Sequence, residues 1–427
     1  MAVKLLNRYN TKLHPIYKMF SWDLLFYYAI IYLFLTLEKG LLASEILFID
    51  AICQISKLIF QLPCAGLIDL LKSRRTLILA NIICAASILL LILSNTIHTI
   101  IISQIIFAIS YNLRQLSESS ILYETIPEHR SKHKIFSKID SIGQAYYYYL
   151  DSVSALFAGL LFIINNYIPL ILCFSCCCIS AIISFKFKEK PLINVEGSSR
   201  KHRNVRKYLK DTKNILKFIF HSKRLKGLLL FAGCFTGLLL FFVNLRSIVL
   251  AELNLRSEYF GIVLAIIQIV SAISSKRTNL IQHKLKNKTL AVFAFVNIFP
   301  LILIGLGLTC KLPFVINSIL IGIWLLLYAI TKGPFYTLIK RYLQSFSPSN
   351  VTTRLYGLQT ILSSIFATAI LLFSSKLLEH ISVSAALIII GSLLSIIFVF
   401  MLDYMKSHVG LKPEEYSKSE ITYTEVK

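Results

Sequence analysis

Charge is what this sequence has least of. Only 15% of its 427 residues are charged and just 21 are acidic, where a soluble domain carries about 25% charged residues. Apolar residues reach 56% and the mean hydropathy is +0.70. No soluble core absorbs that much apolar sequence, so soluble enzyme, secreted scaffold and disordered protein are excluded. There is no GxxxxGK[ST] loop to cradle a nucleotide phosphate. No histidine falls mid-span. Nine cysteines are present, with Cys173, Cys176, Cys177 and Cys178 clustered, but no second ligand pair accompanies them. They read as small apolar filler, and no metal is expected. Met1–Lys18 is polar and basic without a small-residue cleavage site, so no cleavable signal peptide is expected.

What is there is a series of apolar runs, each about 20 residues long, the length that crosses a bilayer as helix. Twelve spans are predicted, at 19–37, 45–69, 76–95, 98–121, 141–164, 167–186, 227–246, 258–280, 289–309, 313–338, 354–376 and 381–403. The fold class is an all-α membrane protein with two pseudo-symmetric six-helix bundles. The expected organisation is an N-terminal bundle over 1–186 and a basic linker over 187–226. A C-terminal bundle over 227–404 and a short polar tail over 405–427 follow.

The net charge of +24 would suggest nucleic acid in a soluble protein. Sorted by loop, 37 of the 45 Lys and Arg residues fall on one side of the predicted spans. The positive-inside rule then places both termini in the cytoplasm, in a multi-pass plasma-membrane protein, and nucleic acid drops out as a partner. In the linker, Val205, Leu209, Thr212, Leu216 and Ile219 recur at helical spacing among lysines. That pattern suits an interfacial helix under an anionic leaflet.

The halves repeat at an offset of 213 residues. Ser44-Glu45 corresponds to Ser257-Glu258, Ile68-Asp69 to Ile281-Gln282, and Arg75-Thr76-Leu77 to Lys288-Thr289-Leu290. Two parallel halves around a midplane site are a transporter architecture. The run Gln61–Asp69, with Pro63, Ala65, Gly66 and Asp69, followed by Arg74 and Arg75, resembles the loop between helices 2 and 3 of the major facilitator superfamily. Ala65 stands where that family usually has its first Gly, and Lys72 where it has its second. Ser119–Glu124 and Arg354 resemble other stretches of bacterial members. The resemblance implies twelve helices, alternating access and a gating role for Ala65, Gly66, Asp69, Arg74 and Arg75.

A charge at membrane depth is expensive, so each one is a functional candidate. Asp50, Gln54, Lys57 and Gln61 share one face of the second span at i, i+4, i+7 and i+11. They line either a wet cavity or a polar seam. Asp140, Gln144, Tyr147, Asp151 and Ser154 share a face of the fifth. Asp151 is the first proton-coupling candidate, with Glu118 and Asp50 behind it; a fixed ion pair with Lys57 or Arg114 is the other reading. Gln104, Tyr111, Gln115 and Glu118 share a face of the fourth span beside Arg114. Arg114 and Glu118, four apart, can pair within the helix. Arg114 also resembles the helix-4 arginine of proton-coupled exporters, although Ser117-Glu118 replaces the Gln-Gly that follows it there. Asp23 lies about two turns from the end of the first span and can snorkel. Trp324 and Tyr328, with Lys332 at the edge, form either an aromatic wall or packing.

These features predict a monomeric secondary transporter in the lipid bilayer, powered by a proton gradient with no cofactor. The cargo is a small amphipathic molecule (a drug, toxin or small peptide), moved outward. A proton-coupled nutrient importer is the alternative. A membrane-embedded enzyme would need clustered catalytic groups, and Asp403 and His408 stand isolated. A non-transporting sensor on the same fold is the remaining class.

Overall fold

The computed structural model describes residues 2–126, 132–188, 223–346 and 349–406. The described residues are helical throughout, without a strand. In chain order the helices are α1 (Ala2–Ser21), α2 (Ile31–Leu33, continuing as a π-helix over Phe34–Glu38), α3 (Ala43–Leu71), α4 (Ser73–Leu93), α5 (Ile97–Thr125), α6 (Lys132–Ile164) and α7 (Ile168–Lys186). Then follow α8 (Lys223–Glu252), α9 (Ser257–Lys276), α10 (Thr278–Leu285), α11 (Thr289–Thr309), α12 (Phe314–Phe346), α13 (Ser349–Leu378) and α14 (Val383–Lys406). Ten of these are long and apolar enough to cross a membrane: α4 to α9 and α11 to α14. The linker expected over 187–226 and the tail over 405–427 fall largely outside the described residues.

Local chemistry sets the ends. At α5, Thr96 Oγ1 accepts from the Thr99 N–H while the Thr96 N–H donates to Thr99 Oγ1, both at 3.3 Å. This reciprocal cap satisfies two of the otherwise orphaned donors. α7 begins with Pro169, whose missing N–H costs nothing in a first turn.

The chain divides into two compact units. Unit 1 holds Met1–Leu41, Ile52–Val205 and Arg256–Ala265; unit 2 holds Leu42–Ala51, Arg206–Leu255 and Ile266–Lys427. The first turns of α3 thus group with unit 2 and those of α9 with unit 1. These two segments lie about 213 residues apart, the offset of the sequence repeat. The packing repeats as well. In unit 1, α1 packs on α6, and α4 packs on both α5 and α7. In unit 2, α8 packs on α13, and α11 packs on both α12 and α14. Helix by helix these are the same pairings. In unit 1, α6 and the start of α9 approach backbone to backbone, since a Cβ on Gly261 would lie 2.3 Å from the Ala155 carbonyl oxygen. In unit 2, α8 meets α13 in the same manner at Gly233 and Gly237.

The first predicted span is corrected. A continuous helix over 19–37 is not formed. α1 starts far earlier and stops at Ser21, residues 22–30 are irregular, and the chain resumes as α2. Phe26 sits at φ 62°, a left-handed conformation uncommon for a bulky residue. Asp23 is the physical reason: its carboxylate accepts the Leu24 N–H at 2.9 Å and the Tyr28 hydroxyl at 2.9 Å. A short acidic side chain that bonds its own neighbours competes with the helix ladder. The irregular stretch is shielded from lipid, with Leu24, Leu25, Tyr27, Ala29 and Ile30 all buried. Non-helical backbone at membrane depth is tolerated only in such a setting.

Candidate functional site

The break in the first helix gathers the polar groups of unit 1. Tyr27 packs edge-on against Tyr28, with ring centroids 5.2 Å apart. Its hydroxyl accepts from Gln104 Nε2 of α5 at 3.1 Å. From α3, Lys57 holds its ammonium 4.4 Å from the Tyr111 ring centroid and 5.5 Å from that of Phe107. Both distances fall within cation–π range. Asn112 Nδ2 donates to the Lys57 carbonyl at 2.7 Å and ties α3 to α5. Asp23 is within electrostatic reach of Tyr111, Arg114 and Tyr147. Asp23, Tyr28, Lys57 and Tyr111 are each only half-buried. Partly open charged groups within a bundle need water or a polar partner, because lipid does not solvate them.

Arg114 lies deeper, 2% exposed. Its Nη1 donates to Cys84 Sγ at 3.6 Å, and its Nη2 has no hydrogen-bond partner. The pairing expected with Glu118 is not made. Glu118 turns instead to α1, where its Oε1 lies 3.4 Å from His14 Nε2 and 3.8 Å from Lys18 Nζ. Lys18 is also ion-paired to Asp140 of α6, and its ammonium stacks 4.2 Å from the Trp22 ring. Room for the Lys18 stem comes from Gly143 on α6, where a Cβ would lie 2.9 Å from both Lys18 Cβ and Cδ. Beside this cluster, Tyr17 donates to Asn81 Oδ1 at 3.2 Å and Asn81 Nδ2 donates to the Leu77 carbonyl at 2.8 Å.

The other sequence candidates scatter. Asp151 is buried at 4% exposure, one turn from buried Tyr147. Gln144 Nε2 donates to the Tyr148 hydroxyl at 3.1 Å. Gln54, Gln61 and Gln115 are half-buried. Asp50 does not share the setting of Lys57. It belongs to unit 2 and accepts a hydrogen bond from Asn244 Nδ2. Trp324 and Tyr328 are packed: Trp324 is fully buried, donates its indole N–H to the Asn297 carbonyl at 3.2 Å, and meets Phe242 edge-on at 5.3 Å. Phe242 also packs on Tyr328, and Lys332 rests 5.8 Å from the Tyr328 ring centroid. In this structure those rings turn inward rather than line an opening.

On the last turns of α3, where the sequence suggested a gating loop, the side chains of Ala65, Gly66 and Asp69 lie outside the described residues. Lys72 adopts φ 66°, ψ 155°, a backbone conformation essentially reserved for glycine. The glycine usual at this position in the resembling family therefore has a conformational cause. Arg74 Nη2 donates to the Phe185 carbonyl at 2.8 Å, fastening α4 to the end of α7, while Arg75 is exposed.

Sequence reasoning missed His14 and Lys18 because the first helix was begun too late. The signal was present: Asn10, His14, Tyr17, Lys18 and Ser21 recur at helical spacing and all are buried.

The family model of the Major Facilitator Superfamily matches residues 18–370. The chain belongs to that superfamily, a family of transporters. Among solved structures, the nucleoside transporter NupG is similar at TM-score 0.70 and 11% identity, covering 95% of this chain and 100% of that one. A D-xylose-proton symporter is similar at TM-score 0.71 and 12% identity, covering 94% and 98%. A POT family transporter in complex with 5-aminolevulinic acid is similar at TM-score 0.65 and 15% identity, covering 96% of each chain. At such identities the likeness concerns the fold. No curated protein matches the chain by sequence.

Proposed function

We propose that this transporter couples the proton gradient to movement of a small amphipathic molecule across the plasma membrane, with no cofactor. The observation that carries the cargo class is the broken first helix. Asp23, Lys57 and Arg114 supply charge of both signs, while Tyr27, Tyr28, Phe107 and Tyr111 supply flat apolar faces. A solute with a polar or zwitterionic end and a ring or short apolar side chain fits such a set. Non-helical backbone beside a midplane site is also where transporters commonly bind their substrates. The orientation expected from the basic loops puts both termini in the cytoplasm.

Direction rests on a narrower point. Arg114 stands on α5 where proton-coupled exporters of the superfamily carry an arginine, which favours outward movement against protons. The similar structures include a D-xylose-proton symporter, so inward symport is the competing direction. Purified protein in vesicles, with an acid gradient imposed in either sense, separates the two. Nucleosides, dipeptides, pentoses and aromatic amines would each be offered as radiolabelled probes. The expected result is gradient-dependent flux of one amphipathic class that stops on adding a protonophore. Flux of no probe class in either gradient, or flux indifferent to the protonophore, would sink the reading.

A further inference from the structure

Four ionisable side chains meet where α1, α5 and α6 converge in unit 1. His14 and Lys18 are each 1% exposed and Glu118 is 6% exposed. Neither ring nitrogen of His14 has a hydrogen-bond partner, nor does Glu118 Oε1, although Nε2 and Oε1 stand 3.4 Å apart. Lys18 contributes one positive charge and Arg114, one turn away on α5, a second, against the negative charges of buried Glu118 and part-buried Asp140. One proton on His14 faces Glu118 directly and turns the 3.4 Å approach into a charge-assisted hydrogen bond.

We infer that His14 and Glu118 form a proton-binding site, with His14 Nε2 taking the proton, Glu118 its counter-ion, and the Lys18–Asp140 ion pair holding both in place. The inference rests on the proton-coupled reading above and names where the ion binds. Among the described residues, the elements of unit 1 near His14 carry the following charged and titratable groups. α5 supplies Glu118 and, one turn on, Arg114. α6 supplies Asp140. α4 supplies Arg74, engaged with Phe185, and exposed Arg75. α7 supplies Cys177 and exposed Lys186. α1 itself supplies Lys18 and Tyr17. None of these carries an acceptor closer to His14 than Glu118 in any ion pair recorded among the described residues.

A divalent metal is the rival occupant. His14, Glu118 and Asp140 do bring three ligand-type atoms within 4.8 Å of one another. The Lys18 ammonium, ion-paired to Asp140 and 3.8 Å from Glu118, already lies among them. The consequence for the fold is direct. His14 and Lys18 lie on α1 within about three turns of the break at Asp23, so protonation tightens α1 onto α5 just before the irregular segment.

The sequence provides its own reporter, because only two tryptophans are present and Trp22 stacks on Lys18. In a Trp324→Phe background, Trp22 is the sole indole of the full-length purified protein. Its fluorescence is expected to follow a single transition within about pH 5–8, where imidazoles change charge. His14→Gln should abolish that transition. Glu118→Gln should move it at least about one unit lower, because the protonated ring loses its counter-ion, and it decides the matter if His14→Gln does not fold. A transition that survives in folded His14→Gln, or that stays in place in Glu118→Gln, overturns the assignment. So does its loss in the parent on adding zinc chloride at micromolar concentration, which would make the cluster a metal site. No solute is needed, so a negative outcome here leaves the vesicle-flux result standing on its own.

Discussion

Arg114 and Glu118 lie one turn apart on α5 and make no ion pair with each other. Glu118 is drawn to His14 and Lys18, while Arg114 reaches only the Cys84 sulfur and leaves Nη2 unbonded at 2% exposure. An i, i+4 pair on an exposed helix gains about 0.3–0.5 kcal/mol. Inside a bundle that is small beside the need of a buried carboxylate for the nearest full positive charges. A guanidinium left short of a partner is a stability cost that the fold tolerates.

Arg114→Met tests whether that cost serves transport. Replacing a poorly paired buried charge by an apolar chain of similar length is often neutral or stabilising by about 1–4 kcal/mol. The variant should melt at or above the parental temperature, yet its flux of the solute found in the vesicle screen should fall at least about tenfold. A lower melting temperature with full flux would instead make Arg114 a structural residue.

Lys72→Gly should stabilise. Lys72 holds φ 66°, ψ 155° between α3 and α4, and non-glycine residues in that region pay about 1–3 kcal/mol. A rise in the thermal midpoint in detergent checks this. An unchanged or lower midpoint would mean that the lysine side chain compensates for its backbone.

Gly143→Leu should do the opposite. Even a Cβ at this position would lie 2.9 Å from Lys18 Cβ and Cδ and 3.2 Å from Pro15 Cα. Overpacking of this kind costs about 1–3 kcal/mol, and displacement of Lys18 from Trp22 should alter Trp22 emission. Thermal melts and emission spectra read the two effects separately.

Trp324 divides two readings of one aromatic face. The sequence offset of 213 residues pairs Tyr111 with Trp324, Gln115 with Tyr328 and Glu118 with Thr331. In the first half this face carries charge and half-open tyrosine; in the second it is neutral and sealed. Trp324→Phe, which keeps a ring against Phe242, should retain flux, whereas Trp324→Ala should lower stability by about 3–5 kcal/mol. If Trp324→Phe folded normally but lost flux, the ring would have to meet cargo in another conformation.

Most of the architecture was legible because a bilayer constrains sequence so severely. Apolar length found the ten clear spans, and a constant offset found the repeat that the packing of α4 and α11 reproduces. Residue type and depth alone singled out Lys57, Arg114, Glu118 and Asp151. What stayed hidden was pairing and backbone course. Whether Glu118 faces Arg114 or His14 depends on how α1 lies against α5, which helical spacing does not encode. The break at Asp23 was hidden for a related reason. The apolar content of 19–37 favours a span, and only the turn made by Asp23 with Leu24 and Tyr28 overrides it.

That override yields the sharpest test of the site. Asp23→Leu removes the acceptor of both the Leu24 N–H and the Tyr28 hydroxyl, so nothing local then competes with the helical ladder. A leucine at this depth is also far more compatible with lipid than an aspartate. The variant should gain helicity by circular dichroism and hold its thermal midpoint, yet lose the flux detected in vesicles. Asp23→Asn keeps the amide oxygen as an acceptor and should preserve the break while removing the charge. If cargo binding needs only the irregular backbone, Asp23→Asn will still bind it. If the charge itself is required, both variants will lose binding. Full flux from Asp23→Leu would remove the broken helix from the transport mechanism altogether.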